Sequence, residues 1–317
     1  MELVFILIKN HSEIVGLFPL VKIPSKGRKI LHFLGTGEDE AEEITTEYID
    51  VIAKPGFEKR VCCLVINYLT TEYTNWDEIN LSRYNQDSNI VKHLLIESDN
   101  KGIKRVEFLS GYRHFVTLND DYHSYIEQQT RSFRKKLVSN KTKLLSKGKV
   151  EFMLVEQEKE VASILNHLKE FHLKRSKFIG RKSAFESQSF IAFHLEYMQI
   201  MANKQQLHLG VLYLDEKIIS VEYNFKLGET SYAYQGSFDN DYKKLSLGFL
   251  SINLMIEESI LSGFQVFDFM MNEVDSYANF YGCSQSPILS CRLFNQNIPN
   301  RYIYSLLKLK FLIKKHL

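Results

Sequence analysis

Several residues in the second half of this 317-residue chain are of types that could move a proton or hold an anion. Glu222 stands in an alternating run, Ile218–Leu227, and faces the opposite way from Val221 and Tyr223. Turned into a cleft it is a candidate general base, direct or through water; turned to solvent it is an edge-strand carboxylate. Asp268 lies between Phe267 and Phe269 in a short apolar strand, where a carboxylate must be either hydrogen-bonded for structure or part of a site. Tyr277 and Tyr281 follow on a short helix and are candidate proton donors or packing residues. The hexapeptide Lys243-Lys244-Leu245-Ser246-Leu247-Gly248 precedes an apolar helix. A helix N-terminus with a small residue for close approach and lysines beside it suits a polyanion such as a diphosphate. A plain N-cap by Ser246 is an equally simple account.

Positioning these residues falls to elements that the hydrophobic pattern marks out. Lys149–Val155 reads as a strand, and Glu156–Lys174 and Phe185–Ala202 carry helical spacing. The period then changes to two, giving a three-strand meander through Leu207–Leu214, Ile218–Leu227 and Ser231–Ser237. The helix Phe249–Leu261 follows, stopped at Gly263, then the strand Gln265–Met270, a brief helix at Ser276–Tyr281 and a strand at Ile288–Phe294. The first half repeats part of this order. Leu3–Lys9 and Ile14–Val21 form a hairpin, Lys29–Leu34 a third strand, Phe57–Leu69 and Ile90–Glu97 helices, and Glu78–Leu81, Val106–Leu109 and His114–Leu118 short strands. The repeat is one of element order and suggests a duplicated fold whose first copy is incomplete. Tyr122–Lys147 reads as one connecting helix.

Composition bounds the rest. The length suits about two domains, at roughly 150 residues each. Hydrophobic residues are 44% and charged residues 25%, as in an ordinary globular chain. Forty Lys+Arg against 38 Asp+Glu leave +2, so overall charge gives no sign of a nucleic-acid partner. Locally, Arg131–Lys149 carries eight basic residues and no acid, either a solvated face or an anion-binding one. Cys62, Cys63, Cys283 and Cys291 have no zinc or redox spacing and read as free thiols of a reducing, cytoplasmic compartment. The histidines show no paired-ligand pattern, so no metal is expected, and there is no Gly-x-Ser-x-Gly elbow or Walker loop. The C-terminal segment 297–317 is basic and amphipathic, either packed on its own domain or lying on an anionic membrane surface. Trp76 is a core candidate.

The element order of residues 149–295 resembles that of the GNAT acyltransferases. Lys243–Gly248 resembles their (Gln/Arg)-x-x-Gly-x-(Gly/Ala) loop, with Lys243 for the first residue, Ser246 for the first glycine and Gly248 retained. Gly263–Met270, then Glu273 and Tyr277, is similar to the "G…fDF" and "E-x-YK" segments of the cellulose-biosynthesis-type (CelD/BcsL) GNAT proteins, relatives of the FemAB-like tandem acyltransferases. Tyr125–Leu137 resembles their opening basic helix, and Gly16 with Pro19-Leu20 extends the match. Ala278 departs from the pattern, standing where those proteins have lysine after the tyrosine. The resemblance implies an α/β (α+β) tandem fold of mixed, mostly antiparallel sheets flanked by helices. It would divide into an N-terminal half at 1–120, a connecting helix at 121–148, an acyl-CoA domain at 149–296 and the tail at 297–317. It implies an N-acyltransferase using acetyl-CoA or another acyl-CoA bound by Lys243, Lys244, Ser246, Leu247 and Gly248. The acceptor would be an amine on a small molecule or glycan, such as an amino sugar or surface-polysaccharide precursor. Tyr277 is the favoured proton donor by the same resemblance. Two alternatives stand beside it: a FemAB-like transferase drawing an aminoacyl group from tRNA, and a GNAT-fold interaction module without turnover.

Overall fold

The computed structural model describes residues 1–39, 42–296, 300, 303–306 and 308. Most of the basic tail at 297–317 therefore lies outside the described residues. The chain forms two compact units, one of residues 1–38, 43–111 and 287–317 and one of residues 39–42 and 112–286.

In the first unit, strands β1 (Glu2–Asn10), β2 (Glu13–Ser25) and β3 (Arg28–Phe33) run antiparallel in sequence, and β4 (Ile52–Ala53) pairs with β2. Helix α1 (Glu58–Thr71) lays Val61, Cys62, Val65, Ile66 and Leu69 on the Val4, Ile6 and Ile8 side of the sheet. It comes so close that a side chain at Gly16 would run into Val61. Strand β5 (Glu78–Asn85) pairs parallel with β3, and a π-helical turn at Ile90–Leu94 leads into helix α2 (Leu95–Asn100). Trp76 is buried, its indole N–H donating to the Leu69 carbonyl at 2.8 Å.

Strand β6 (Lys104–Thr117) is one element where the sequence suggests two short strands. The connecting helix is likewise two elements: α3 (Tyr122–Gln128) and α4 (Arg131–Leu145), separated where the Thr130 hydroxyl caps the Phe133 N–H. Then come β7 (Val150–Val155), α5 (Glu158–Ile179), α6 (Gln188–Asn203), β8 (Leu207–Leu214), β9 (Lys217–Leu227), β10 (Thr230–Phe238), α7 (Leu247–Leu261), β11 (Val266–Asn272) and β12 (Ser284–Phe294).

The sheet of the second unit runs β7-β8-β9-β10-β11, then the Tyr112–Thr117 part of β6. All neighbours are antiparallel except β10 and β11. That parallel pairing is short. It joins Thr230–Tyr232 to Val266–Asp268 and stops there, while β10 continues to Phe238. Helix α7 packs Met255, Ile256 and Ile260 into a core with Phe133, Phe267, Phe269 and Tyr281.

These units differ from the division at 1–120, 121–148 and 149–296. Helices α3 and α4 belong to the second unit, since Tyr125 and Phe133 join the core of α7 and Leu144 packs with Leu247 and Leu250. Strand β12 from Pro287 onward belongs to the first, since Ile288–Phe294 pairs antiparallel with β5. Both placements depend on partners distant in sequence. No described helix is long and apolar enough to cross a membrane.

Candidate active site

Along the part of β10 that continues past its pairing with β11, the second unit holds a cavity of about 480 Å³, within the usual size of a ligand site. Its walls include Glu222 of β9, Ala233–Phe238 of β10, Gly248, Phe249 and Ile252 of α7, Lys136 of α4, Arg175 of α5, and Tyr277, Phe280 and Tyr281 of the short helix after β11.

Strand β9 is internal, paired on both edges, so the edge-strand account of Glu222 does not hold. Glu222 is only 6% exposed. Both of its cross-strand neighbours are glycines, Gly210 on β8 and Gly236 on β10, and a Cβ at Gly236 would overlap Glu222 Oε2. Its other oxygen accepts from Ser251 Oγ of α7. Burial raises the carboxyl from 4.5 to about 8, against the Ser251 hydrogen bond, which favours the charged form. A carboxylate poised near neutrality is a fit base for an amine.

Tyr277 and Tyr281 both reach the cavity but differ in exposure. Tyr281 is buried and its phenol is pushed well up, first by burial and then by the Glu222 charge. Tyr277 is 59% exposed at the mouth, so solvent blunts the upward push to about 12 that the surrounding atoms and Glu222 exert on it. The mouth position suits a proton donor; Tyr281 is better placed to pack.

Asp268 does not line the cavity. It is fully buried and spends its carboxylate on structure: Arg113 Nε donates to Oδ2 at 2.6 Å and the Met270 N–H to Oδ1 at 2.7 Å. Met270 has φ +62°, a left-handed kink, and the ladder to β10 ends at Asp268 itself. Of the two readings of Asp268, this geometry carries the structural one. The carboxylate fixes the bend at which β11 parts from β10.

The hexapeptide sits before α7, as expected. Asn240–Leu245 is a 3-10 turn, and Ser246 takes φ +54° ahead of the helix. That is the left-handed region in which glycine is at ease. Ser246 caps nothing with its side chain, and the first turn of α7 holds no acid, so the plain N-cap account fails. Gly248 lines the cavity, with room for a Cβ limited by the Phe238 ring at 3.2 Å. Leu247 is buried in the core and can offer only its backbone. Lys243 lies over the Phe178 ring at 5.0 Å, and neither it nor Lys244 is a cavity wall. Thus Glu222, Tyr277 and Gly248 converge, while Asp268, Lys243, Lys244, Ser246 and Leu247 flank or support the space.

Three wall residues have no local sequence signal for a site: Lys136, Arg175 and Tyr234. Lys136 Nζ sits 4.6 Å from the Phe249 ring centre and 4.7 Å from that of Phe280. The acid-free run Arg131–Lys149 pointed to the helix without singling out this lysine. Among the described residues no cluster of three or more His, Cys, Asp or Glu could hold a metal ion.

Residues 131–278 match the family model of the acetyltransferase (GNAT) domain. This span contains every cavity wall except Phe280 and Tyr281. No curated protein matches the chain. Among solved structures, FemX covers 96% of this chain and 90% of its own at 10% identity, with a TM-score of 0.65. The C-terminal domain of a putative lysylphosphatidylglycerol synthetase from Agrobacterium fabrum is 12% identical, with 98% and 88% covered and a TM-score of 0.60. L-PGS from Bacillus licheniformis is also 12% identical, with 93% and 86% covered and a TM-score of 0.60. At such identities the likeness is one of fold. It agrees with the tandem GNAT-like α/β architecture expected from the element order.

Proposed function

We propose that the second unit is an N-acyltransferase site that takes an acyl-CoA in this cavity and passes the acyl group to an amine. The observation that carries this reading is the cavity itself: an opening along the part of β10 beyond its pairing with β11, bordered by an uncapped helix N-terminus and walled by a buried carboxyl. The backbone N–H groups of Leu247 and Gly248, at the start of α7, would face the diphosphate, with Lys243 and Lys244 adding positive charge nearby. Glu222 would take the proton of the attacking amine. Tyr277 would return a proton to the departing thiolate. Each transfer contributes on the order of 10²–10⁴-fold. The acceptor we infer is a small-molecule or glycan amine, and by the resemblance of Gly263–Tyr277 to the cellulose-biosynthesis-type proteins an amino sugar or surface-polysaccharide precursor.

Calorimetry with CoA tests the donor. Micromolar-range binding is expected, and Gly248→Glu, which brings a bulky anion to the first turn beside Phe238, is expected to abolish it. Failure of the wild-type chain to bind CoA would remove the reading.

A second reading has its own observation. Helix α4 exposes Arg131, Arg134, Lys135, Lys136, Lys141 and Lys143 with no acid among them, a surface that suits tRNA as an aminoacyl donor. Binding of tRNA that falls steeply with salt, together with no binding of acyl-CoA, would favour it. CoA binding without thiol release across a broad amine panel would instead favour an interaction module.

A further inference from the structure

The cavity walls carry one carboxyl group, Glu222, and two cations, Lys136 and Arg175. The carboxyl and one of the cations are already engaged. Ser251 holds Glu222 from α7. The Lys136 ammonium lies against Phe249 and Phe280, 4.6 and 4.7 Å from their ring centres, and so sits by the first turn of α7. Arg175 differs. It is an exposed residue of α5, and its guanidinium makes no hydrogen bond or ion pair with any described residue. The Phe238 ring centre is 6.0 Å away, at the outer limit of a cation–π contact. All five N–H donors of this arginine are therefore uncommitted to protein at the wall of a cavity.

Two further observations bear on what such a group would meet. Gln235 of β10 pairs with Tyr223, so its side chain shares the face on which Tyr223 meets His194 of α6, opposite to that of Glu222. Helix α5 packs with α6. The Gln235 amide also lines the cavity and has no hydrogen-bond partner among the described residues. The second observation concerns Tyr277. Burial, Glu222 and Cys283 raise its phenol, and the Arg175 charge opposes them. Arg175 thus acts on the group assigned to the departing thiolate, at the reacting end of the cavity.

Resting on the acyltransfer reading of the same cavity, we propose that the acyl acceptor is an anionic amine, carrying a carboxylate or phosphoryl group a few bonds from its amino group, and that Arg175 is the residue that selects it. The planar guanidinium offers parallel N–H donors to the paired oxygens of either group. Glu222 receives the amino end and Arg175 the anionic end, so opposite charges set the orientation in which the acceptor lies. No bond is made or broken at Arg175; its part is to bind and orient.

Calorimetry on the full chain, with and without CoA, tests this with two pairs of amines that differ in the anion: phosphoethanolamine with ethanolamine, and β-alanine with propylamine. At least one anionic member should bind about tenfold tighter than its neutral partner, and the pair that shows it tells which group is read. Arg175→Gln should remove that preference and leave CoA affinity and the thermal midpoint unchanged. Arg175→Lys returns the charge without the fork and should recover only part of the preference. Equal affinity within both pairs, or no binding of either anionic amine, would overturn the proposal, as would a preference that survives Arg175→Gln. Loss of CoA affinity in that variant with the amine preference intact would move Arg175 to the phosphates of the donor and overturn it too. A chain that prefers the anionic amine but binds no CoA keeps this subsite and removes the donor reading. A chain that binds CoA without discriminating within the pairs does the reverse.

Discussion

Glu222→Gln separates the two things burial does to this carboxyl. Below about pH 4.5 the group is protonated in both the folded and the unfolded chain, and burial costs little extra. Between 4.5 and about 8 the folded chain keeps the proton that the unfolded chain has lost. Stability must therefore fall as pH rises across this window, by at most about 1.4 kcal/mol per pH unit. From pH 5.5 to 7.5 the loss is roughly 2–3 kcal/mol, complete above about 8. Glutamine keeps the shape and an oxygen for the Ser251 hydroxyl, and does not titrate. Urea denaturation of both proteins through the window should give a difference that grows with pH in favour of the variant. The activity should move the other way. Thiol release from acetyl-CoA with an amine should rise through about pH 8 in the wild type as the carboxylate forms. In the variant it should drop on the order of 10²-fold or more. A stability difference flat with pH would show that the folded carboxyl titrates normally, and the argument from burial would fall with it. A pH-dependent stability difference with undiminished turnover would leave Glu222 buried but idle.

Other substitutions probe the surrounding parts. Tyr277→Phe should slow thiol release about 10²-fold and leave CoA affinity intact in calorimetry; an unchanged rate would clear Tyr277 as proton donor. Ser246→Gly should raise the thermal midpoint, relieving at most about 1 kcal/mol of left-handed strain less the entropy glycine adds to the unfolded chain. A clear loss of stability there would mean that the serine side chain holds something. Asp268→Asn keeps an oxygen for the Met270 N–H but removes the negative charge opposite Arg113, and should cost roughly 3 kcal/mol by denaturation. Unaltered stability with lost turnover would return Asp268 to the chemistry.

The elements themselves were legible wherever the hydrophobic period was clean. The meander β8-β9-β10 carries a two-residue period, clearest in Ile219–Leu227, and α7 is a long apolar run closed by Gly263; both stand within a few residues of their expected ends. Local pattern misled where the decision is tertiary. Tyr122, Ile126, Phe133 and Leu137 keep one helical phase across Thr130, so the break into α3 and α4 is hidden, and only the Thr130 cap marks it. Strand β12 looks like the end of the second half, yet its hydrogen bonds go to β5, some two hundred residues earlier. For the site, strand parity gave the side to which Glu222 points but not its depth, because an internal and an edge strand read alike. Lys136, Arg175 and Tyr234 come from three elements far apart in sequence, and no spacing rule unites them. Asp268 was visible as an anomaly, a carboxylate between phenylalanines. Its partner Arg113, which decides its role, was not.

The surroundings of Glu222 explain how an internal strand keeps a carboxyl and still offers it to a ligand. Two cross-strand neighbours with ordinary side chains would fill the space on either side. Here both are glycines, but the two vacancies are used differently. Beside Gly210 the space is taken by Met255 and Phe152, which would collide with any Cβ there, so this side is closed by hydrocarbon. Beside Gly236 the space is taken by Glu222 itself, and Gly236 is a wall of the cavity. The closed side raises the carboxyl by excluding water, and the open side gives it somewhere to act. Ser251 fixes one oxygen against the helix, leaving the other on the Gly236 side. The same strand geometry that makes the group costly to ionise thus directs the ionised form at the crevice. The cavity runs along Ala233–Phe238, where β10 continues past the three residues it pairs with β11, which kinks at Met270 beside Asp268.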